Sequence, residues 1–174
     1  IQTIMVEWDA LECCRDVLAL VFPQYFNLKV VLVSSSTSAE DVRGLWELHQ
    51  VDHCFAGASL SNIWKEGQLG GTCFDFSDDA VNRDGVFPCL STEGRVISIS
   101  MPNPEAETAT NQHQDGHRAG TWGRLLPGFH VKTDDSSVCL SGASINTDGI
   151  KIPDVRLDEN GLLCPVPNTS APSV

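Results

Sequence analysis

The chain has 174 residues, with 23 acids against 11 bases and a formal net charge of −12. That balance argues against nucleic acid, whose binders need basic patches to displace counterions, and against anionic membrane surfaces. With 41% hydrophobic and 20% charged residues, the composition is that of a globular protein able to bury roughly 70% of its unfolded surface, and no apolar run approaches the roughly 20 residues of a membrane helix.

The opening stretch has neither a basic nor an apolar region of the kind a secretory leader needs, so none is expected. Leu11, Cys14, Leu18 and Val21 then recur at helical spacing, and Pro23 is expected to stop that helix. Lys29 to Val33 is a β-branched run typical of a buried strand. Ser34 to Ser38 reads as a polar loop, and Ser38 with Asp41 resembles a capping box. Val42, Leu45, Trp46 and His49 mark one face of the helix that follows. Val51 to Ala56 is expected as a second strand, and Ser59 to Glu66 as a short helix closed by Gly67. Helices alternating with strands imply parallel strands joined by right-handed crossovers, an α/β arrangement.

From Gly70 onward short apolar runs are broken by Gly, Pro, Asn and Asp. Gly94 to Ser100, Gly128 to Lys132 and Ser137 to Leu140 are expected strands. Pro102 to Gly123 is a loop by composition, and the proline-rich stretch from Pro165 to Val174 is expected to fray. The organisation expected is therefore an α/β crossover segment over 1–67, a β-rich segment over 68–164 and a disordered tail over 165–174.

Few residues cluster in a way that chemistry demands. The seven cysteines include no C-x-x-C pair, so neither a zinc ribbon nor a dithiol redox site is indicated. The adjacent Cys13 and Cys14 suit buried small hydrophobes in a reducing, cytoplasmic setting. Two His pairs share one spacing, His49 with His53 and His113 with His117. Residues four apart on a helix could grip one metal, but the pairs are distant from each other and a third ligand is not evident. Asn82 to Gly85 matches the middle of a calcium loop, but Ala80 and Ser91 stand where carboxylates are required. The serine run at 34–38 holds no Gly and no nearby Lys, so a helix-capping loop is expected there rather than a phosphate loop.

Several features nevertheless follow one another in a telling order. Ser91-Thr92-Glu93 precedes the strand Val96–Ser100 and then Met101-Pro-Asn-Pro104. Gly120-Thr-Trp-Gly-Arg-Leu-Leu-Pro-Gly128 comes next, followed by His130 to Asp135 and Ser137 to Gly142. Asp148-Gly149 and Asp154-Val-Arg-Leu-Asp-Glu-Asn-Gly-Leu-Leu163 complete the series. This succession resembles the later part of the large domain of AMP-forming adenylating enzymes, most closely acyl-acyl carrier protein synthetases and long-chain acyl-CoA synthetases. It covers Ser91 to Leu163, and Gly120–Gly128 with Asp158–Gly161 are its most specific stretches.

The resemblance implies a partial adenylating-enzyme large domain that is a parallel α/β segment followed by a β-rich segment. It implies ATP or AMP and Mg²⁺ as cofactors. Thr92 would contact the α-phosphate and Glu93 would hold Mg²⁺ and ATP, the pair forming the catalytic set. Asp154 would bind the ribose hydroxyls. The implied reaction is carboxylate plus ATP to acyl-adenylate, then a thioester with coenzyme A or acyl carrier protein, in fatty acid metabolism.

The departures from the family's pattern bear on that reaction. Cys89 and Leu90 replace the Tyr-Gly whose ring stacks on adenine, and Ile152-Pro153 replace the Thr-Gly before Asp154. A Ser/Thr/Gly-rich phosphate loop and the small domain with the catalytic Lys are both absent from this sequence. Gly67 to Val86 is short for the core strands expected there. The reading is a fragment or degenerate relative of an acyl-CoA or acyl-acyl carrier protein synthetase, inactive alone, with nucleotide, a fatty acid, acyl carrier protein or the rest of a larger chain as its partners. The alternative is a non-catalytic binding or interaction module on the same fold remnant.

Overall fold

The computed structural model describes residues 1–11, 17–92, 95–100, 120–134, 137–142 and 148–166. Five parallel strands build its α/β part: β1 (Thr3–Glu7), β2 (Lys29–Val33), β3 (His53–Ala56), β4 (Thr72–Asp75) and β5 (Phe87–Thr92). The strands β6 (Arg95–Ile99) and β7 (Arg124–Leu125) continue the same sheet antiparallel, in the order β2-β1-β3-β4-β5-β6-β7. The sheet therefore takes strands from both sides of residue 67. A second sheet has the order β10 (Ile150–Pro153), β9 (Ser137–Gly142), β8 (Phe129–Asp134), and β11 (Val155–Leu157) pairs with β12 (Leu163–Pro165).

Helix α2 (Ala39–His49) begins as the sequence suggests. Ser38 Oγ accepts from Asp41 N at 3.1 Å and donates to the Asp41 carboxylate at 2.7 Å, which closes the first turn. Val42 and Trp46 are its buried contacts. With α3 (Ala58–Glu66) it covers one face of the sheet, where Met5, Cys54, Cys73, Val31 and Leu60 form the main core. Gly44 lies on the exposed side of α2 with nothing within 4 Å of an added Cβ. Gly44→Ala is expected to stabilise the chain by about 0.5–1 kcal/mol, since alanine loses less backbone freedom in a helix; a thermal melt reads this as a raised midpoint.

The other face of the sheet carries Ile4, Val6, Leu11 and Leu18. Here the expectation that Pro23 stops a helix is corrected, and residues 12–16 of that helix lie outside the described residues. Val17–Val21 forms a π-helical turn, and Pro23 sits in the first turn of α1 (Phe22–Phe26) instead of ending a helix. An N–H missing from the first turn costs nothing, so proline starts this helix rather than breaking one. Cys13 and Cys14 lie outside the described residues.

Two further expectations change. Gly67 to Val86 does hold a core strand: β4 pairs with β3 at Cys54–Cys73 and with β5 at Phe74–Phe87, so the parallel sheet is continuous. Pro165 belongs to β12 and Val166 N donates to Asp154 O at 2.9 Å, so these two residues are held, and the rest of the expected tail, 167–174, lies outside the described residues. The third core cluster joins the two halves. Ile97 of β6 packs with Val138, Leu140, Ile150, Ile152, Val155 and Leu163 of the smaller sheets.

The glycine-rich stretch explains its own composition. Gly120, Gly123 and Gly128 have φ of 78°, 76° and 97°, a region open to glycine at little cost. Downstream, Asp158 Oδ1 accepts from Asn160 N and Leu162 N, both at 2.9 Å, and Gly161 has φ 74°. That is the turn chemistry expected of Asp-Glu-Asn-Gly.

Candidate functional site

In open α/β sheets, ligands bind beyond the carboxyl ends of the strands where strand order reverses. Here β1 is flanked by β2 on one side and β3 on the other, so the reversal falls at the end of β1. Glu7 closes that strand and is 1% exposed. Its Oε2 accepts from Gly57 N at 2.7 Å and Leu60 N at 3.1 Å, the free amides at the head of α3. Gly57 has no side chain to cap the helix, so a carboxylate from a neighbouring strand does so. The second oxygen, Oε1, is buried without a hydrogen-bond partner among the described residues.

Burial pushes the Glu7 carboxyl above its ordinary value of 4.5; the two amide bonds act in the opposite direction, and nearby Asp9 and Asp75 add to the rise. A folded-state pKa raised above the unfolded one favours the protonated fold. Glu7 therefore contributes stability that is complete below pH 4.5 and is lost as pH rises through its higher folded value. Denaturant midpoints measured from pH 5 to 8 are expected to fall for the unaltered chain, on the order of the linkage slope for one proton, and to flatten in Glu7→Gln. Asp9 and Asp79 do not overlap this window: hydrogen bonds from Ser35 and Arg83 hold them below 3.8.

The neighbouring strand ends are also acidic. Asp75 at the end of β4 is fully buried and accepts from Ser61 Oγ at 2.5 Å and from Ser77 N and Oγ at 2.8 and 2.6 Å. Arg83 approaches it to 3.7 Å while donating to Asp79 and Asn62. Asp9 accepts from Ser35 N at 2.8 Å and Ser35 Oγ at 2.6 Å, and Ser59 Oγ donates to Ser35 O at 3.1 Å. The serine loop at 34–38 is thus tied to the heads of α2 and α3. This acidic rim was not singled out in the sequence. The Glu in Thr-Ile-Met-Val-Glu, a charge closing an apolar run, was the signal that could have found it.

The residues that the sequence nominated lie elsewhere. Thr92 ends β5, half-buried and paired with Arg95 of β6. Its partner β4 stops at Asp75 beside Pro88, so β5 runs on for four residues, about 13 Å at the usual rise. Glu93 lies outside the described residues. Asp154 is an exposed, left-handed residue (φ 58°) between β10 and β11. No described hydrogen bond joins Thr92 to Asp154, and Cys89, in the place implied for an adenine-stacking ring, is 2% exposed. His49 and His53 make separate contacts. Lys29 Nζ donates to His49 Nδ1 at 2.9 Å, whereas His53 lies 6.5 Å from the Phe74 ring. His113 and His117 lie outside the described residues. Among the described residues no group of three His, Cys, Asp or Glu could hold a metal ion, and no helix is long and apolar enough to cross a membrane.

The amides at the head of α3 are not open to a phosphate, since they already hold the Glu7 carboxylate.

No protein-family model and no curated protein matches this sequence. Solved structures do match. Unliganded o-succinylbenzoate coenzyme A synthetase of Bacillus subtilis aligns with 94% of this chain at 16% identity and TM-score 0.63, covering 43% of its own length. The amide bond synthetase McbA of Marinactinospora thermotolerans aligns with 94% at 11% identity and TM-score 0.58, over 41% of its length. The NpsA N-terminal subdomain of Klebsiella oxytoca, in complex with 3-hydroxybenzoyl-AMSN, aligns with 95% at 11% identity and TM-score 0.59, over 54% of its length. The synthetase is also known in complex with AMP, and with ATP and magnesium ion. The chain has the fold of part of an adenylating-enzyme large domain and spans about half or less of these neighbours.

Proposed function

We propose that this chain is a fragment or degenerate relative of an AMP-forming acid–thiol ligase that keeps a nucleotide-recognising surface and does not activate an acid alone. The observation that carries this reading is the fold match across 94% of the chain to a coenzyme A synthetase of which it spans 43%. In this reading Thr92 meets the phosphate, Glu93 holds Mg²⁺ and Asp154 holds the ribose. In a larger assembly the acid is a fatty acid and the acceptor is coenzyme A or an acyl carrier protein. The cytoplasm is the proposed setting, in keeping with the reduced cysteines Cys54, Cys73 and Cys89.

Calorimetric titration of the whole chain with AMP, with and without Mg²⁺, tests the nucleotide half of this reading. Binding is expected for the unaltered chain, and its loss in Thr92→Val/Asp154→Asn, both at exposed or half-buried positions that should leave the fold intact. Absence of heat at millimolar AMP, or equal binding by the double variant, contradicts it.

One observation favours the second reading, an interaction module without chemistry. Leu20, Val21 and Tyr25 are 58%, 43% and 80% exposed around α1, and large apolar side chains clustered at a surface mark a contact with another protein surface. If AMP fails to bind, this surface is the place to look for a partner.

A further inference from the structure

We propose that the outer edge of β2 pairs with the same edge of a second copy of this chain, antiparallel and about a two-fold axis. β2 ends the seven-stranded sheet, and among the described residues no strand lies beyond it. Lys29 N donates to Gln2 O at 2.9 Å, and Val33 O accepts from Trp8 N at 2.8 Å. Lys29, Val31 and Val33 therefore turn their backbone groups toward β1. The alternation leaves the N–H and C=O of Val30 and Leu32 directed away from the sheet, as groups that a further strand would satisfy. This rests on strand order and backbone direction and is independent of the nucleotide reading.

The devices that usually blunt an edge are missing from β2. It holds no Pro, its five-residue register with β1 runs without a bulge, and its one charge is Lys29 at the start. Val31 and Val33 are buried in the core beneath α2, whereas Leu32, on the opposite face, is 51% exposed. An added strand covers that side chain as well as the backbone.

The charges along the edge select the occupant. Lys29, bonded to His49 at the end of α2, marks the amino end of β2 as basic. The head of α2 lies at the other end, where Glu40 and Asp41 are exposed and Asp9 accepts from Ser35 N just beyond the strand. A second copy added parallel would set like charge beside like. Added antiparallel, it sets Lys29 opposite Val33 and Val30 opposite Leu32, so each basic end meets an acidic one. Val30 of each copy then exchanges both backbone hydrogen bonds with Leu32 of the other, and two sheets become one. Such two-fold pairing is the commonest association of identical chains.

Five residues a side are few against the roughly 20–30 of a standard interface, so the dimer is reversible and grows with concentration. Sedimentation equilibrium of the whole chain, from micromolar to millimolar concentration, is expected to show the mass rising toward two chains. Residue-resolved hydrogen exchange reads the register. The amides of Val30 and Leu32 are expected to slow as the dimer forms, while those of Val31 and Val33, bonded within the sheet, do not change. Leu32→Lys puts a charge on the exposed side of the edge; it is expected to weaken association about tenfold or more and to keep the melting midpoint. A mass of one chain at every concentration overturns the proposal, even where those two amides are slow, since another segment or partner then covers the edge. So does a dimer whose Val30 and Leu32 amides exchange as fast as in the monomer, or a folded Leu32→Lys that associates as tightly. Should that variant not fold, mass and exchange of the unaltered chain decide the matter alone.

Discussion

Gly71→Ala is expected to destabilise the chain by about 2–5 kcal/mol, the sum of a left-handed backbone term near 1–2 and an overpacking term near 1–3. Gly71 has φ 78°, and a Cβ added there would stand 2.0 Å from the carbonyl oxygen of Asp52. That oxygen cannot retreat freely. It accepts from Thr72 N at 3.1 Å, while Asp52 N donates to Thr3 O at 2.9 Å and Asp52 Oδ2 accepts from Thr3 N at 2.7 Å. One residue thus ties the starts of β1 and β4 to the loop before β3. Gly85→Ala is the control, since Gly85 has φ 82° and open space around it, so only the backbone term should appear. Urea unfolding followed by tryptophan fluorescence compares the two. Against a total stability of about 5–15 kcal/mol, the Gly71 variant should lose a large share of the folded population on mild heating. Equal midpoints for both variants would mean that the three strands do not meet at Asp52 as described.

Asp75→Ala is expected to cost about 3 kcal/mol or more. The carboxylate is fully buried and takes three hydrogen bonds from Ser61 and Ser77, and bonds to a charged group are worth about 1.5–3 kcal/mol each, without simple additivity. Its removal also leaves Ser61, itself fully buried, without its acceptor. Asp75→Asn keeps an acceptor oxygen and should recover part of the loss. The same urea series measures both, and an alanine variant as stable as the parent would show that Asp75 is not the buried anchor of α3 and the β4 end.

Much of the α/β half was legible because its signals are local. Ser38 and Asp41 place the start of α2, and the run Lys29–Val33 is β2 within the expected bounds, although it lies at the sheet edge with Leu32 51% exposed rather than buried. The strands missed were those whose signals are weak or contradictory. In β1 all five residues are buried, so it alternates on neither face, and Glu7 masks its apolar character. β4 has only four residues. β5 contains Pro88, which demotes a strand in any sequence reading; it survives here because pairing with β4 ends at Pro88. The resemblance to adenylating ligases pointed to the fold from the order of motifs in the second half, where glycines such as Gly120 and Gly128 take the positive φ their turns require. It did not reveal the carboxylate seated on the head of α3. That contact joins Glu7 to Gly57 and Leu60, and no local spacing encodes a bond across fifty residues.

Acid-dependent exchange of labelled pyrophosphate into ATP reports acyl-adenylate formation directly, and it tests most directly whether this chain activates an acid alone. With the whole purified chain, Mg·ATP and a panel of fatty and aromatic acids, no exchange above the protein-free background is expected. Exchange that depends on an added acid and disappears in Glu93→Ala would contradict it, and would mean that this chain, despite the acidic strand ends at Glu7, Asp9 and Asp75, activates carboxylates unaided.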